Sequence, residues 1–459
     1  MSYGVLVDLR AIQDYIFSSN RLRDNIGASY LVSHFFDDIQ VQKKVIGGGN
    51  MFCVVDTEDE AKNVISGLSK KAITMTPGLR FSAIYMEMQQ SQNNILQPFW
   101  DELQKEKQKR NQISVVPSFG INAQCSASSY AAEYNSKDGL ISAVIKAKRD
   151  TAEKANIEIN ETYDKYLEGY FVFPEDFAHL GTIKGEESNI AVVHIDGNDM
   201  GQLFAECTDL NSYKKLSEHV NEVNMYAFSV MIDYAVKKIL YGDWNHYIDR
   251  LRKRGKKIYL PIRPIFIGGD DVTFVCEGRL GIELAIKFIE LVDNFSKNEF
   301  SCCAGVAVVN EKYPFYQSQQ MAQSLCRQAK NKRKSQNSKG AYVDFQLISS
   351  STCDPIEETR KQYVVDEKKL YQKPYTLEKL QEQIDNANQL KKWPRSKVKE
   401  MRDVLFKGEE AIKAFDMQIK ARGDLVYPNV SPYNDFDSSY AFYPDMIELM
   451  DLIPYGGKK

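Results

Sequence analysis

The stretch Ile-Phe-Ile-Gly-Gly-Asp-Asp-Val-Thr-Phe-Val at residues 265–275 constrains this chain more than any other. Two apolar, β-rich runs flank Gly268-Gly269-Asp270-Asp271, and glycine dipeptides between such runs signal a hairpin. The glycines allow a tight turn and close backbone approach to a ligand. Two adjacent carboxylates at a turn repel each other unless a cation offsets them. Hard oxygen ligands of this kind suit Mg²⁺ or Mn²⁺, with substrate phosphates completing the shell. The competing reading is a solvated Gly-Asp surface turn, so the rest of the chain must supply the other parts of a two-metal site.

The hairpin belongs to an internal repeat. In the first half a strand at Gly4–Leu9 is followed by helical text at Ala11–Phe17 and Arg21–Phe36. A strand, Gly47-Gly48-Gly49-Asn50 and another strand come next, then a helix from Thr57 to about Lys71 and a strand at Leu79–Met86. The second half repeats this order. A strand at Ile190–Ile195 runs into Asp196-Gly197-Asn198-Asp199, and a long helical region covers Leu216–Leu240. The acidic hairpin, a helix at Gly281–Asn294 and a strand at Ser301–Val309 complete the copy. Each copy reads βαββαβ, and the first has Gly47-Gly48-Gly49-Asn50 where the second has its acids. The expected fold class is therefore α+β: two ferredoxin-like βαββαβ domains with a helical insert between them and a helical C-terminal domain. The expected boundaries are 1–90, 91–187, 188–349 and 350–459.

The insert reads as mostly helical and polar. Gln89–Gln112 suggests a solvated helix or linker, and Leu140–Asn156 an amphipathic helix carrying Lys146, Lys148, Arg149 and Lys154 on a solvated face. After the second copy, Tyr316–Lys334 reads as a helix whose end, Lys332-Arg333-Lys334, is expected in a solvated loop. A strand follows at Gly340–Leu347. Leu377–Asp385 and Arg395–Gln418 are helical patterns separated by Trp393-Pro394, and Tyr440–Lys459 reads as partly ordered.

Composition narrows the function classes. At 459 residues the chain holds two to four domains. A net charge of -3 supplies no global basic signal for nucleic acid. No apolar run approaches the roughly 20 residues that span a bilayer, and the N-terminus enters a strand without a signal-peptide pattern. The expected compartment is the cytoplasm. The 8 cysteines, Cys53, Cys125, Cys207, Cys276, Cys302, Cys303, Cys326 and Cys353, form no C-x-x-C pair and read as buried thiols. The 5 histidines show no ligand spacing and no His-Asp doublet. There is no legible Ser-His-Asp set and no G-x-x-x-x-G-K-[ST] phosphate loop.

A βαββαβ sheet sets the end of its first strand beside the central hairpin, so Asp196 is expected to join Asp270 and Asp271 as metal ligands and catalytic carboxylates. Two divalent ions there would hold a nucleotide triphosphate, activate an attacking hydroxyl and stabilise leaving pyrophosphate. Gly197, Asn198, Gly268 and Gly269 offer backbone groups to metal or phosphate. Asp199 is a further candidate ligand, with a helix N-cap as the competing reading. Lys330 can neutralise triphosphate charge, against a plain solvated lysine.

Two groups of motifs resemble one known family. Ile12-Gln13-Asp14-Tyr15-Ile16-Phe17, Arg23-Asp24 and Gly27-Ala28-Ser29-Tyr30-Leu31-Val32-Ser33 form the first. Ile195-Asp196-Gly197-Asn198-Asp199-Met200-Gly201 with Gly268-Gly269-Asp270-Asp271 form the second. Their joint order is similar to the first and second palm domains of the large polymerase/cyclase subunit of type III CRISPR effector complexes, nearest the type III-B form. The resemblance implies a nucleotidyltransferase that makes a cyclic oligoadenylate or related messenger from ATP, with the 3′-hydroxyl of one nucleotide attacking the α-phosphate of another. It implies two Mg²⁺ or Mn²⁺ ions, Ser29 as a contact to the nucleotide on the first palm, and Asp8 as the counterpart of Asp196. Its implied partners are nucleotide triphosphates, other CRISPR effector subunits and guide or target RNA, with no membrane. The family usually begins with a His-Asp nuclease domain and carries four zinc cysteines between the palms. Here the first palm starts at residue 4 and only Cys125 lies between the palms, so neither DNA cleavage nor zinc is expected. The competing class is a non-catalytic scaffold that binds nucleotide, RNA and proteins. A third reading is a diguanylate-type cyclase, whose hairpin usually has Glu where this chain has Asp271.

Overall fold

The computed structural model describes residues 2–41, 43–88, 96–109, 120–180, 188–207, 209–348, 355–423, 425–437 and 442–454. Cys353, parts of the Gln89–Gln112 text, the expected boundaries at 91, 187 and 349–350, and the Gly-Gly-Lys-Lys end lie outside these.

The first unit runs β1 (Tyr3–Arg10), α1 (Ile12–Phe17), α2 (Leu22–Ser33), β2 (Lys43–Gly47), β3 (Asn50–Val55), α3 (Glu58–Thr74), β4 (Arg80–Glu87) and α4 (Gln97–Gln108). Thr57 caps α3, its side chain accepting from the Glu60 N–H, and three acids occupy the first turn where the helix dipole favours them. The sheet order is β2-β3-β1-β4. Alternation along β1 divides it between two faces: Val5, Val7 and Leu9 join one core, while Leu6 joins Phe99 and Leu103 of α4 in another. Thus α4 packs on the first sheet, where sequence polarity suggested a solvated helix or linker. Three buried apolar residues on a polar helix suffice to dock it.

The insert holds a small hairpin, β5 (Tyr134–Ser136) and β6 (Gly139–Ile141), then α5 (Ala143–Thr162) and β7 (Phe171–Val172). The solvated face expected on α5 is partly wrong. Lys148 is fully buried and donates to the Tyr15 carbonyl and Ser18, and buried Arg149 pairs with Asp24 at 2.9 Å. These groups anchor the insert to α1 and α2, and burial pulls Lys148 down to about 7.

The second unit runs β8 (Asn189–Gly197), α6 (Met200–Ala205), α7 (Leu210–Tyr241), β9 (Lys253–Arg254), β10 (Lys257–Tyr259), β11 (Ile262–Gly268), β12 (Asp271–Glu277), α8 (Gly281–Phe295), β13 (Cys302–Asn310), α9 (Phe315–Ser335) and β14 (Tyr342–Ile348). The C-terminal part holds α10 (Ile356–Lys361), β15 (Val364–Val365), β16 (Lys368–Lys369), β17 (Tyr375–Thr376), α11 (Leu377–Leu390), α12 (Arg395–Leu405), α13 (Glu409–Arg422), α14 (Pro432–Asp437) and α15 (Tyr443–Leu452). The large sheet is ordered β11-β12-β8-β13-β14-β17, so its first four strands repeat the order of the first unit. The mainly helical C-terminal part adds β17 to that sheet and shares its core with α7 and α8. The fold class read from the repeat is the observed one.

The other face of β8, β12 and β13 joins α9 and the first unit in a common core that includes Val5, Val7, Val192, Val275 and Leu325. Six of the seven described cysteines are buried, Cys207 less so, and all seven are free thiols. No described helix is long and apolar enough to cross a membrane.

Candidate active site

Strand register sets the site. Gly268 pairs with Asp271 across a two-residue turn, and Asp271 pairs with Asp196 on β8. Directly opposed residues of neighbouring strands share a face of the sheet, so Asp196 and Asp271 face α9 together. Asp270 occupies the turn, and its carbonyl accepts the Gly197 N–H at 3.2 Å. Gly269 has φ +61, and its carbonyl accepts Asn224 Nδ2 at 2.7 Å.

The electrostatics favour added positive charge. Burial, then the Asp196 carboxylate, raises Asp270. Asp271 is raised further, by burial and then by Asp196 and Asp270, with a hydrogen bond from Gln13 of α1 opposing. Lys330 of α9 reaches Asp196 at 2.5 Å and donates to the Gly197 carbonyl at 2.6 Å. Burial pulls this lysine down, but the Asp196 carboxylate outweighs it and the net shift is upward. One lysine thus faces three carboxylates. Asp196 keeps about a third of its side chain exposed (32%). A hard divalent cation fits this donor set, since it would relieve the repulsion that holds Asp270 and Asp271 protonated.

The remaining predicted residues are spread around the hairpin. The Asn198 N–H and Nδ2 are used by Ser301, at 2.8 and 2.9 Å, while its Oδ1 is buried without a partner. Asp199 takes the N-cap position of α6 at φ +54, but its side chain makes no cap bond. It pairs with Arg333 at 2.8 Å. Arg333 is therefore a buried helical residue, as against the solvated loop expected for 332–334. The charge of Asp199 draws it inward. Ser29 lines a cavity of about 450 Å³ with Gly268, Gly269, Ser217 and Arg263, whereas Asp270 lines a separate one of about 340 Å³ with Trp100, Met200 and Tyr213. Both cavities touch Gly47, Gly48 and Gly269.

The described residues also contain one mixed set, His194, Asp196 and Cys326, whose possible ligand atoms lie within 4.8 Å of one another. His194 and Cys326 already have internal partners, Thr273 Oγ1 at 3.0 Å and the Cys303 carbonyl at 3.2 Å. Burial pushes the imidazole down to about 4 and the Cys326 thiol well up, so both are neutral and act here as packing groups.

Residues 189–339 match the family model for Cas10/Cmr2, second palm domain. Among curated proteins no match is found. The whole fold is similar to the crystal structure of a Csm1-Csm4 cassette in complex with pppApA, with TM-score 0.57 and 11% identity over 99% of this chain and 69% of that one. It is also similar to the same cassette in complex with cA4 (TM-score 0.54, 12% identity, 99% and 70% covered) and to Csm1 in T. onnurineus (0.51, 12%, 99% and 70%). At such identities the likeness is one of fold.

In these terms the second palm carries the acids and the first palm mirrors it. Asp8 pairs with Asn50 as Asp196 pairs with Asp271, and Gly47 pairs with Asn50 as Gly268 does with Asp271. Lys107 of α4 holds Asp8 at 2.6 Å, as Lys330 of α9 holds Asp196. The two turns meet: a Cβ on Gly269 would lie 2.9 Å from Gly48 Cα. Tyr213 is pushed up to about 12 by burial, with Cys207, Asp8 of the first palm and Asp270 of the second adding to the shift. Sequence reading missed Gln13, Lys107, Tyr213, Asn224 and Arg333 as neighbours of the site. Only Lys107 had a usable signal, its position on the helix after β4 of the repeat.

Proposed function

We propose that this chain is a nucleotidyltransferase that joins ATP-derived units into a cyclic oligoadenylate or related messenger, as a large-subunit type of protein in type III CRISPR defence. The observation that carries this reading is the pairing of Asp196 with Asp271 beside Asp270, three carboxylates facing one lysine. Two Mg²⁺ or Mn²⁺ ions held by Asp196, Asp270 and Asp271 would supply charge stabilisation for the triphosphate and acidify a hydroxyl. Lys330 supplies a fixed positive charge for phosphate oxygens, and the Asn224 bond to Gly269 holds the turn. In the proposed reaction a 3′-oxygen forms a bond to an α-phosphorus, pyrophosphate leaves with the electron pair, and the hydroxyl proton passes to solvent. The cavity lined by Ser29 and the twin glycine turns is the candidate seat of the second nucleotide. The family match over 189–339 and the likeness to structures solved with pppApA and cA4 support the reading.

The test is incubation of purified protein with labelled ATP or GTP and Mn²⁺ or Mg²⁺, with and without RNA, and products read by mass. Metal-dependent oligonucleotide and pyrophosphate are expected from the wild type and not from Asp270→Ala, Asp271→Ala. Equal output from both, or nothing from either while nucleotide still binds, would leave the scaffold reading in its place.

A further inference from the structure

The flank of α9 turned away from the carboxylates opens onto another cavity, of about 670 Å³. It shares α9 with the candidate active site but no lining residue with the cavities of Ser29 and Asp270. Its wall carries Lys332, Arg360, Lys361, Lys369 and Lys373 against a single acid, Glu357. Three of these cations have carboxylate partners: Arg360 with Asp344, Lys373 with Glu448 and Lys361 with Glu358. Lys332 differs. Its ammonium donates to the Gln372 carbonyl, and burial lowers its pKa despite Asp344 and Asp445. A half-buried ammonium with a carbonyl partner gains from any anion that reaches it.

Arg360 provides the second observation. Its side chain is 7% exposed, and its two terminal nitrogens grip Asp344 at 2.6 and 2.9 Å. Its Nε is buried without a partner. A buried guanidinium N–H left unpaired is costly unless something else accepts it. Tyr371 lies against the guanidinium, 5.1 Å from ring centre to Cζ, and holds the group in place at the cavity wall.

We propose that this cavity is a binding site for a phosphate-bearing ligand, separate from the carboxylate site. Lys332 and Lys369 would supply charge and the Arg360 Nε a buried donor, a donor set that suits phosphate oxygens. The source of the phosphate is a free polyphosphate or nucleotide, or the backbone of a single strand.

The test uses the full chain in EDTA, so that metal-dependent binding at the aspartates is silent and the outcome does not depend on the proposed activity. Calorimetry is run with sodium tripolyphosphate, ATP and a short oligoribonucleotide. Saturable binding of at least one probe is expected, weakened at least about tenfold by Lys332→Glu and kept within about twofold by Lys330→Ala. Should Lys332→Glu lose its folded circular-dichroism signature, Lys369→Glu gives the same reading. Binding of tripolyphosphate or ATP identifies a free polyphosphate source. Binding of the oligoribonucleotide alone, falling steeply with salt, identifies a strand. No saturable binding by any probe overturns the proposal. So does binding that survives both charge reversals, or that Lys330→Ala removes.

Discussion

The two palms share a sheet order, a two-residue hairpin and an aspartate held by a lysine from the helix after the last strand, yet they differ at two turn positions. Where the second palm has Asp270 and Asp271, the first has Gly49 and Asn50. The difference is conformational as well as chemical. Gly48 and Gly49 both have positive φ, at +57 and +80, while in the second turn only Gly269 does. A Cβ at position 49 would meet Ile12 Cδ1 at 2.4 Å. The first hairpin is therefore shaped around the absence of a side chain, and an acid cannot be restored there without strain. It serves instead as the surface on which the second hairpin closes. Duplication thus left one palm with carboxylates and the other with a matching turn.

Four measurements would break or sharpen this contrast. The largest effect is expected from Asp271→Asn, which should lower metal-dependent product formation by about 10³-fold, while Asn50→Ala should stay within about threefold. Initial rates at saturating nucleotide decide it, and equal losses would mean that both palms carry chemistry. Next, Lys330→Ala should cost about 10²-fold and Lys107→Ala under about tenfold, because only the first lysine lies beside paired acids. At the hairpin contact, Gly269→Ala should destabilise by about 2–3 kcal/mol and Gly48→Ala by about 1–2 kcal/mol. Both have positive φ, but an added methyl meets backbone only at Gly269. Denaturant melts of the two variants rank them.

The smallest effect is the pH dependence of the metal-free protein. Asp270 and Asp271 are raised in the folded state, so the fold holds protons that the unfolded chain has released. Their contribution to stability is full below the ordinary carboxylate value of about 4 and is lost as pH rises through the folded values. Melting temperature without divalent ions should fall over that rise. Asp271→Asn should flatten the fall, Mg²⁺ should reverse it, and Asn50→Asp should leave it unchanged in sign. A wild-type curve that climbs with pH would show that the aspartates are ionised and paired without metal.

Much of the fold was legible because its signals are local. Period-two runs, glycine turns and the repeat order led to both sheets, and the step from Asp196 to the hairpin follows from strand order alone. Polarity misled where long side chains are buried by specific partners. Lys148, Arg149 and Arg333 read as solvent-facing, yet the Tyr15 carbonyl, Asp24 and Asp199 draw them in. Helix α4 was too polar to announce its docking. Lys107, Gln13 and Tyr213 could not be placed at the site from the text, because each arrives on a different element.

By itself the sequence determined which hairpin could bear charge and which strand end would stand beside it, since register follows from alternation and turn length. The tertiary structure alone decided that the two glycine turns touch, that Ser29 and Asp270 line different cavities, and that one lysine must serve three carboxylates. Those are contacts between elements far apart in the chain, and their partners are chosen by packing and burial rather than by any local pattern.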